Sequence, residues 1–279
     1  MWWSRDSRHV QDWRCHTIEG ERSLSVSQYK TYEECPYAWK LARVDKVWQR
    51  PAAWLAQGSA EHTVFEAYER SGRSMTVEEM KALFLVEYAR EIAKYTEDTP
   101  NMEWWFPSGP YRGPQDVERR YHIGLEQIPR YPAWYERHPE EVIWIAPDGT
   151  PGIELEFDID LDGVRVRGFI DAVIDRRGYV VVRDDKTGKV PGDDFQLGTY
   201  GVALAETYDI EPPDTGDYWM GVSGKPTFPY DLSEWSRDRV AEKFHELADN
   251  IRAERFDPDP EPKKCMFCAV AYSCAFSQA

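Results

Sequence analysis

The stretch GFIDAVIDRRGYVVVRDDKTGK, residues 168–189, decides the fold. Two runs rich in Val and Ile flank Arg177-Gly178, a strong hairpin turn signal, and Asp162-Gly163 just upstream is a second one. They predict adjacent antiparallel strands over residues 164–174 and 179–185. Asp171 interrupts the first run between Ile170 and Ala172. A carboxylate buried there without a partner would cost on the order of several kcal/mol. On the second strand Asp184 and Lys186 are two apart and share a face, while Asp185 points the other way. With the turn centred near residues 176–178, Asp184 falls across the ladder from Asp171. Two carboxylates and an ammonium thus converge at strand ends. Hard oxygen ligands of this kind suit Mg²⁺ or Mn²⁺ beside a phosphodiester, and the lysine suits positioning of a water and stabilisation of developing charge. Taken alone, D-x-K is a weak signal, and a surface hairpin closed by a salt bridge is its plainer reading.

Outward from the hairpin, two further features point to the same centre. Gln196 and Tyr200 lie i, i+4 on one face of a helix expected over 193–208. Far upstream, Gly58-x-x-x-His62 places an imidazole on a helix expected over 54–71. Glu154 and Glu156 alternate on a strand over 153–161, where they either line the site or face solvent; solvent is the expectation. Other expected helices are Gln28–Glu34 capped by Ser27, Tyr37–Val44 opened by Pro36, 76–95, one helix over 115–137, and 233–255. Further strands are expected at 142–146 and 218–222. Residues 99–114, rich in Pro, Gly and aromatics, read as a loop.

The chain has 279 residues, 42% of them hydrophobic, which is ample for a core. Its 34 basic and 50 acidic residues leave a net charge of −16. That argues against a protein that coats DNA or anionic membrane without specificity. The first 50 residues run against this trend, with nine Lys/Arg and seven Asp/Glu. No apolar run suggests a signal peptide or a membrane span. Five cysteines are an odd number in a chain too long for a disulfide scaffold. A reducing cytoplasm is therefore expected, in a bacterium or in the host of a phage.

The series Gly58…His62, Gly168-Phe169-Ile170-Asp171, Asp184-Asp185-Lys186-Thr187-Gly188 and Gln196…Tyr200 resembles the RecB-like branch of the PD-(D/E)xK nucleases in order and spacing. The resemblance implies that His62, Asp171, Asp184 and the carbonyl of Asp185 bind a divalent metal. It implies that Lys186 is the catalytic lysine, and that Gln196 and Tyr200 support the site and touch DNA. It implies an α/β fold with a restriction-endonuclease-like core, a mixed and mostly antiparallel sheet flanked by helices.

Cys265-x2-Cys268-x5-Cys274 closes the chain, and thiolates so spaced bind zinc or an iron–sulfur cluster. A zinc ribbon would show a second close pair, which is missing here. The fourth ligand must come from elsewhere, with Cys35 and Cys15 as candidates. The resemblance to AddB-like and CRISPR-associated exonucleases selects Cys35, which precedes Pro36, and implies a 4Fe-4S cluster. Cys15 is then an ordinary thiol. The expected organisation is one nuclease domain over 1–279: an extension over 1–22, a helical region over 23–138, the nuclease core over 139–257, and a cluster-binding tail over 258–279 joined by Cys35.

The expected activity is metal-dependent hydrolysis of DNA. Exonuclease action on single-stranded ends, 5′→3′, comes from the resemblance, as does a role in phage DNA processing and recombination or in CRISPR adaptation, with a protein partner from either process. The rivals are a non-catalytic DNA-end or protein-binding module of the same fold, and a zinc-stabilised interaction protein. Trp104-Trp105-Phe106 would stack on bases or pack in the core, and the core is expected. Lys30, Lys40, Arg43 and Lys46 suit phosphate contacts or a solvated helix face equally.

Overall fold

A computed structural model describes residues 23–279. The extension over 1–22 and Cys15 lie outside the described residues. Seven strands form one mixed sheet: β1 (Glu141–Ile143), β2 (Ile153–Leu161), β3 (Val164–Arg176), β4 (Tyr179–Lys186), β5 (Thr215–Met220), β6 (Lys225–Pro226) and β7 (Tyr230–Asp231). The path runs β1-β3-β4-β5-β6, with β2 on β3 and β7 on β5. Every pairing is antiparallel except β4 with β5. The parallel pair needs a crossover, which α7 (Phe195–Tyr208) supplies.

Both long hairpins close as the dipeptides predict. Asp162 and Gly163 have φ of +54° and +90°, and Arg177 and Gly178 have +56° and +89°. Positive φ at both central residues is the type I′ requirement that matches strand twist. These turns set the register, with Leu155 opposite Ile170 and Ala172 opposite Arg183.

Of the nine α-helices among the described residues, eight lie on the two sides of the sheet. On one side lie α1 (Val26–Glu34), α2 (Pro36–Arg43), α7 and α8 (Arg237–Arg252). Their core includes Tyr29, Trp39, Leu197 and Phe244, packed on Phe157, Val173 and Val182. On the other side lie α3 (Ala53–Arg70), α4 (Val77–Asp98), α5 (Gly113–Gln127) and α6 (Arg130–Arg137), sharing Phe65, Phe84, Tyr131 and Trp219. The fully buried Arg183 reaches toward this second side. It donates to both carboxylate oxygens of Asp217 (2.6 and 2.8 Å), to Glu141 (2.9 Å) and to the Tyr135 hydroxyl (3.0 Å). Leu24 pairs with Val166, which ties the chain entering α1 to the free flank of β3. The short α9 (Pro262–Met266) opens the cysteine-bearing tail.

Some expectations shift. The cap of α1 is Ser25 rather than Ser27, because Ser25 accepts from the Gln28 N–H at 3.3 Å. The single helix over 115–137 is two, broken around Pro129, whose ring removes a backbone donor. Strands β1 and β5 begin earlier than expected, and each ends at or before the residue where Gly or Pro intervenes.

Candidate active site

Asp171 and Asp184 meet as the hairpin register requires. The Asp171 carboxylate accepts the backbone N–H of Asp185 at 2.7 Å. His62, carried by α3, places Nδ1 3.4 Å from the same Asp171 oxygen. Asp184 is buried, and its Oδ1 accepts from Gln196 Nε2 at 2.5 Å, with the Tyr200 hydroxyl at 3.5 Å. Gln196 also donates to the Tyr200 hydroxyl at 2.8 Å. Asp184 Oδ2 pairs with the Lys186 ammonium. His62, Asp171, Asp184, Lys186, Gln196 and Tyr200 are therefore brought together. Asp185 is buried as well, and its Oδ1 has no hydrogen-bond partner among the described residues.

The main correction concerns Glu154, which was expected to face solvent. It joins the site: ligand atoms of His62, Glu154 and Asp171 all lie within 4.8 Å of one another. Its backbone has φ of +45°, a conformation that side chains other than glycine reach only at a cost and that clusters at functional sites. A signal for it did exist. Reflecting Asp171 through the Arg177-Gly178 turn gives Asp184, and reflecting it through Asp162-Gly163 gives Glu154. Strict alternation then fails nearby, since Ile170 and Val173, three apart, enter the same core. The strand thus bends at Asp171-Ala172 and turns the Asp171 carboxylate toward α3. Glu156 does face solvent, paired with Arg167 at 3.1 Å.

Lys30 is a second residue whose role only the structure reveals. From α1 its ammonium approaches Gln196 Oε1 at 3.4 Å and Asp193 at 3.5 Å. Lys40 is tied to Asp45 at 2.6 Å, away from the site.

Crowding of carboxylates sets the electrostatics. Burial, then the Asp171 charge, pushes the Asp184 carboxyl up to about 6, against the pull of Lys186. Burial, with Asp171 and Glu66, pushes Glu154 up to about 8. Burial, then the Asp171, Asp184 and Glu154 charges, holds Asp185 well above the carboxylate range against the pull of Arg183. Such a cluster stores protons that a cation would displace. One imidazole, several carboxylate oxygens and a buried oxygen lacking a donor fit a hard divalent cation.

At the far end of the chain, Cys35, Cys265, Cys268 and Cys274 line one cavity of about 250 Å³, and all four are free thiols. The cavity joins the α1–α2 corner to the tail; the Asp259 N–H points at Cys35 Sγ across 3.5 Å. Burial, then the three neighbouring thiols, pushes Cys268 up. Four cysteines around one cavity are the donor type that a soft metal centre takes.

Residues 23–275 match the family model described as the PD-(D/E)XK nuclease superfamily. The chain is 55% identical over 257 residues to the Gene 69 protein of Mycobacterium phage D29, covering 90% of this chain and 95% of that one. It is 51% identical over 276 residues to the Gene 69 protein of Mycobacterium phage L5, with the same coverage. In fold it is similar to a crystal structure from Eubacterium rectale described as a "putative exonuclease", with a TM-score of 0.50 and 12% identity, covering 90% of this chain and 87% of that one.

Proposed function

The chain belongs to the PD-(D/E)XK nuclease superfamily, and from that premise we propose that it is a metal-dependent exonuclease acting on single-stranded DNA ends, with 5′→3′ polarity. One observation carries the reading: His62, Glu154 and Asp171 converge beside an Asp184 that is paired with Lys186. His62, Asp171, Asp184 and the Asp185 carbonyl would hold Mg²⁺ or Mn²⁺, with Glu154 as a further carboxylate. When bound, the ion lowers the pKa of water and neutralises charge developing on phosphate oxygens.

The remaining work belongs to the chain's own groups. Asp184 keeps the Lys186 ammonium at the strand end, where it can orient a water and stabilise the pentavalent phosphorus. Gln196 holds Asp184 in one orientation by donating to Oδ1. Tyr200 backs Gln196, and burial raises its phenol well above the usual range, so it stays a neutral donor. Lys30 adds a cation at the rim.

The four cysteines are proposed to bind a 4Fe-4S cluster, with a structural role. On this reading residues 1–279 form one nuclease domain whose tail, 258–279, is anchored to Cys35. Relatives encoded by phages favour a role in phage DNA processing over CRISPR adaptation, and a recombination protein is the proposed partner. No helix among the described residues is long and apolar enough to cross a membrane.

The deciding experiment is an anaerobic assay on 5′-labelled, 3′-labelled and circular single strands with Mg²⁺ or Mn²⁺. Release of short products from the 5′ end, none from the circle, and none with Lys186→Ala is expected. Cutting of the circle would refute the exonuclease assignment. Equal activity in Lys186→Ala would refute the mechanism.

A further inference from the structure

We infer that single-stranded DNA leaves the catalytic centre along one exposed stripe of α3, and that its bases stack on a platform formed by Trp104 and Tyr272. This rests on the nuclease reading and adds the path of the substrate.

The stripe begins at His62. Ser59, Gly58 and Leu55 follow on the same helical face, at spacings of three, four and seven. Leu55 and Ser59 are exposed. The acid in this stretch, Glu61, is turned inward and fully buried. The stripe therefore presents no carboxylate to a passing phosphate, which is notable on a chain of net charge −16. Gly58 lies beside the chain leaving β4, where a methyl group would make an ordinary contact with Thr187 Oγ1 at 3.4 Å. From His62 to Leu55 the helix covers roughly 10 Å, room for a few nucleotides.

Just beyond the start of α3 stands Arg50. Its backbone N–H bonds Ala269 in the tail at 2.8 Å. Its guanidinium donates to the carbonyls of Trp104 (2.8 Å) and Trp105 (3.1 Å) and lies 5.2 Å from the Tyr272 ring. Trp105 and Phe106 are buried and anchor the loop, whereas Trp104 and Tyr272 remain 54% and 63% exposed. These two rings sit 6.1 Å apart at 61°, and Trp48 supports Tyr272 from 5.9 Å. The adjacent acid, Glu103, is exposed, with its carboxylate turned to the Gly113 backbone. Two aromatic rings beside a guanidinium, at the N-terminal end of a helical stripe that itself carries no exposed carboxylate, match stacked bases with a phosphate between them. They match that better than an apolar protein surface.

The test measures binding of a ten-nucleotide oligothymidylate with Ca²⁺ replacing the reactive metal, and places 2-aminopurine, a base whose fluorescence is quenched by stacking, at successive positions. Trp104→Ala and Tyr272→Ala should each weaken binding about 10-fold and abolish quenching a few nucleotides from the end. Trp104→Phe should retain most of both. Hydrolysis of a dinucleotide, too short to reach the platform, should stay within about two-fold of wild type. Wild-type affinity and quenching in both alanine variants would overturn the path, even if the enzyme cuts DNA normally. A fall in dinucleotide hydrolysis matching the loss of binding would also overturn it, since the rings would then act on the centre itself. Trp104-dependent quenching in a protein that cuts no DNA would uphold the path and sink the nuclease reading instead.

Discussion

Lys186 and Glu154 show what single residues contribute. Lys186→Ala removes the only ammonium paired with Asp184 among the described residues. Hydrolysis should fall by about 100-fold or more, while Mn²⁺ binding measured by calorimetry is kept. A parallel loss of Mn²⁺ affinity would mean that the lysine acts through the ligands. Glu154, held up at about 8, carries a proton near neutrality, and Asp184, at about 6, carries one below it; a cation must displace them. Mn²⁺ affinity should therefore rise as pH climbs from about 6 to 8, with proton release seen as buffer-dependent heat. Glu154→Gln should lower the affinity and flatten the upper part of that rise. An unchanged slope would remove Glu154 from the ligand set.

At the scale of elements, α3 and α7 do the positioning. Glu61, one residue before His62, is buried and pushed up to about 8 mainly by burial. Its Oε2 and Gln127 Oε1 both lie against Gly221, and neither has a donor. A carboxyl raised above its unfolded value stabilises the fold below about 4.5, and that contribution is lost as pH rises toward 8. Glu61→Gln removes the ionisation and supplies a donor. It should raise stability at pH 8–9 by about 1–2 kcal/mol, read by urea unfolding, with little change at pH 5. Gly198 lies between Gln196 and Tyr200 on α7, and a methyl group there would overlap the Trp235 ring. Gly198→Ala should cost about 1–3 kcal/mol and lower kcat together with stability. Full activity in that variant would show that the helix has room to shift.

For the whole molecule, a cluster held by the four cysteines, as proposed, would close a loop from Cys35 to Cys265 that spans nearly the entire chain. Cross-linking so long a loop removes unfolded-state entropy worth on the order of 5 kcal/mol. Anaerobically purified protein should be brown and absorb near 400 nm, and Cys268→Ser should lose the colour and unfold at markedly lower denaturant. A colourless wild type holding zinc without iron would replace the cluster by a zinc site. Net charge also reads differently at this scale. The −16 looked adverse to DNA, yet part of it is the carboxylate cluster that suits a cation, and Lys30 supplies positive charge at its rim.

How much was legible beforehand follows from the range of the interactions. The hairpin, both type I′ turns and the meeting of Asp171 with Asp184 were readable, because strand register propagates from local turn chemistry with a fixed period of two. The Gln196–Tyr200 pair was readable for the same reason, on a helical period. Glu154 was misjudged because its register lands it on the site while alternation suggested solvent; only a bent strand and a positive φ bring it in. Lys30 could not be assigned from sequence, since its contact spans 166 residues. The same holds for the Arg50–Trp104–Tyr272 platform, where packing of a loop and a tail against α3 decides which ring stays exposed. The sequence by itself determined the central hairpin, the register that sets Asp171 against Asp184 and the residue types of the centre, all matters of local periodicity. The tertiary structure alone decided which distant side chains complete it, because no short-range rule constrains how far-separated segments pack.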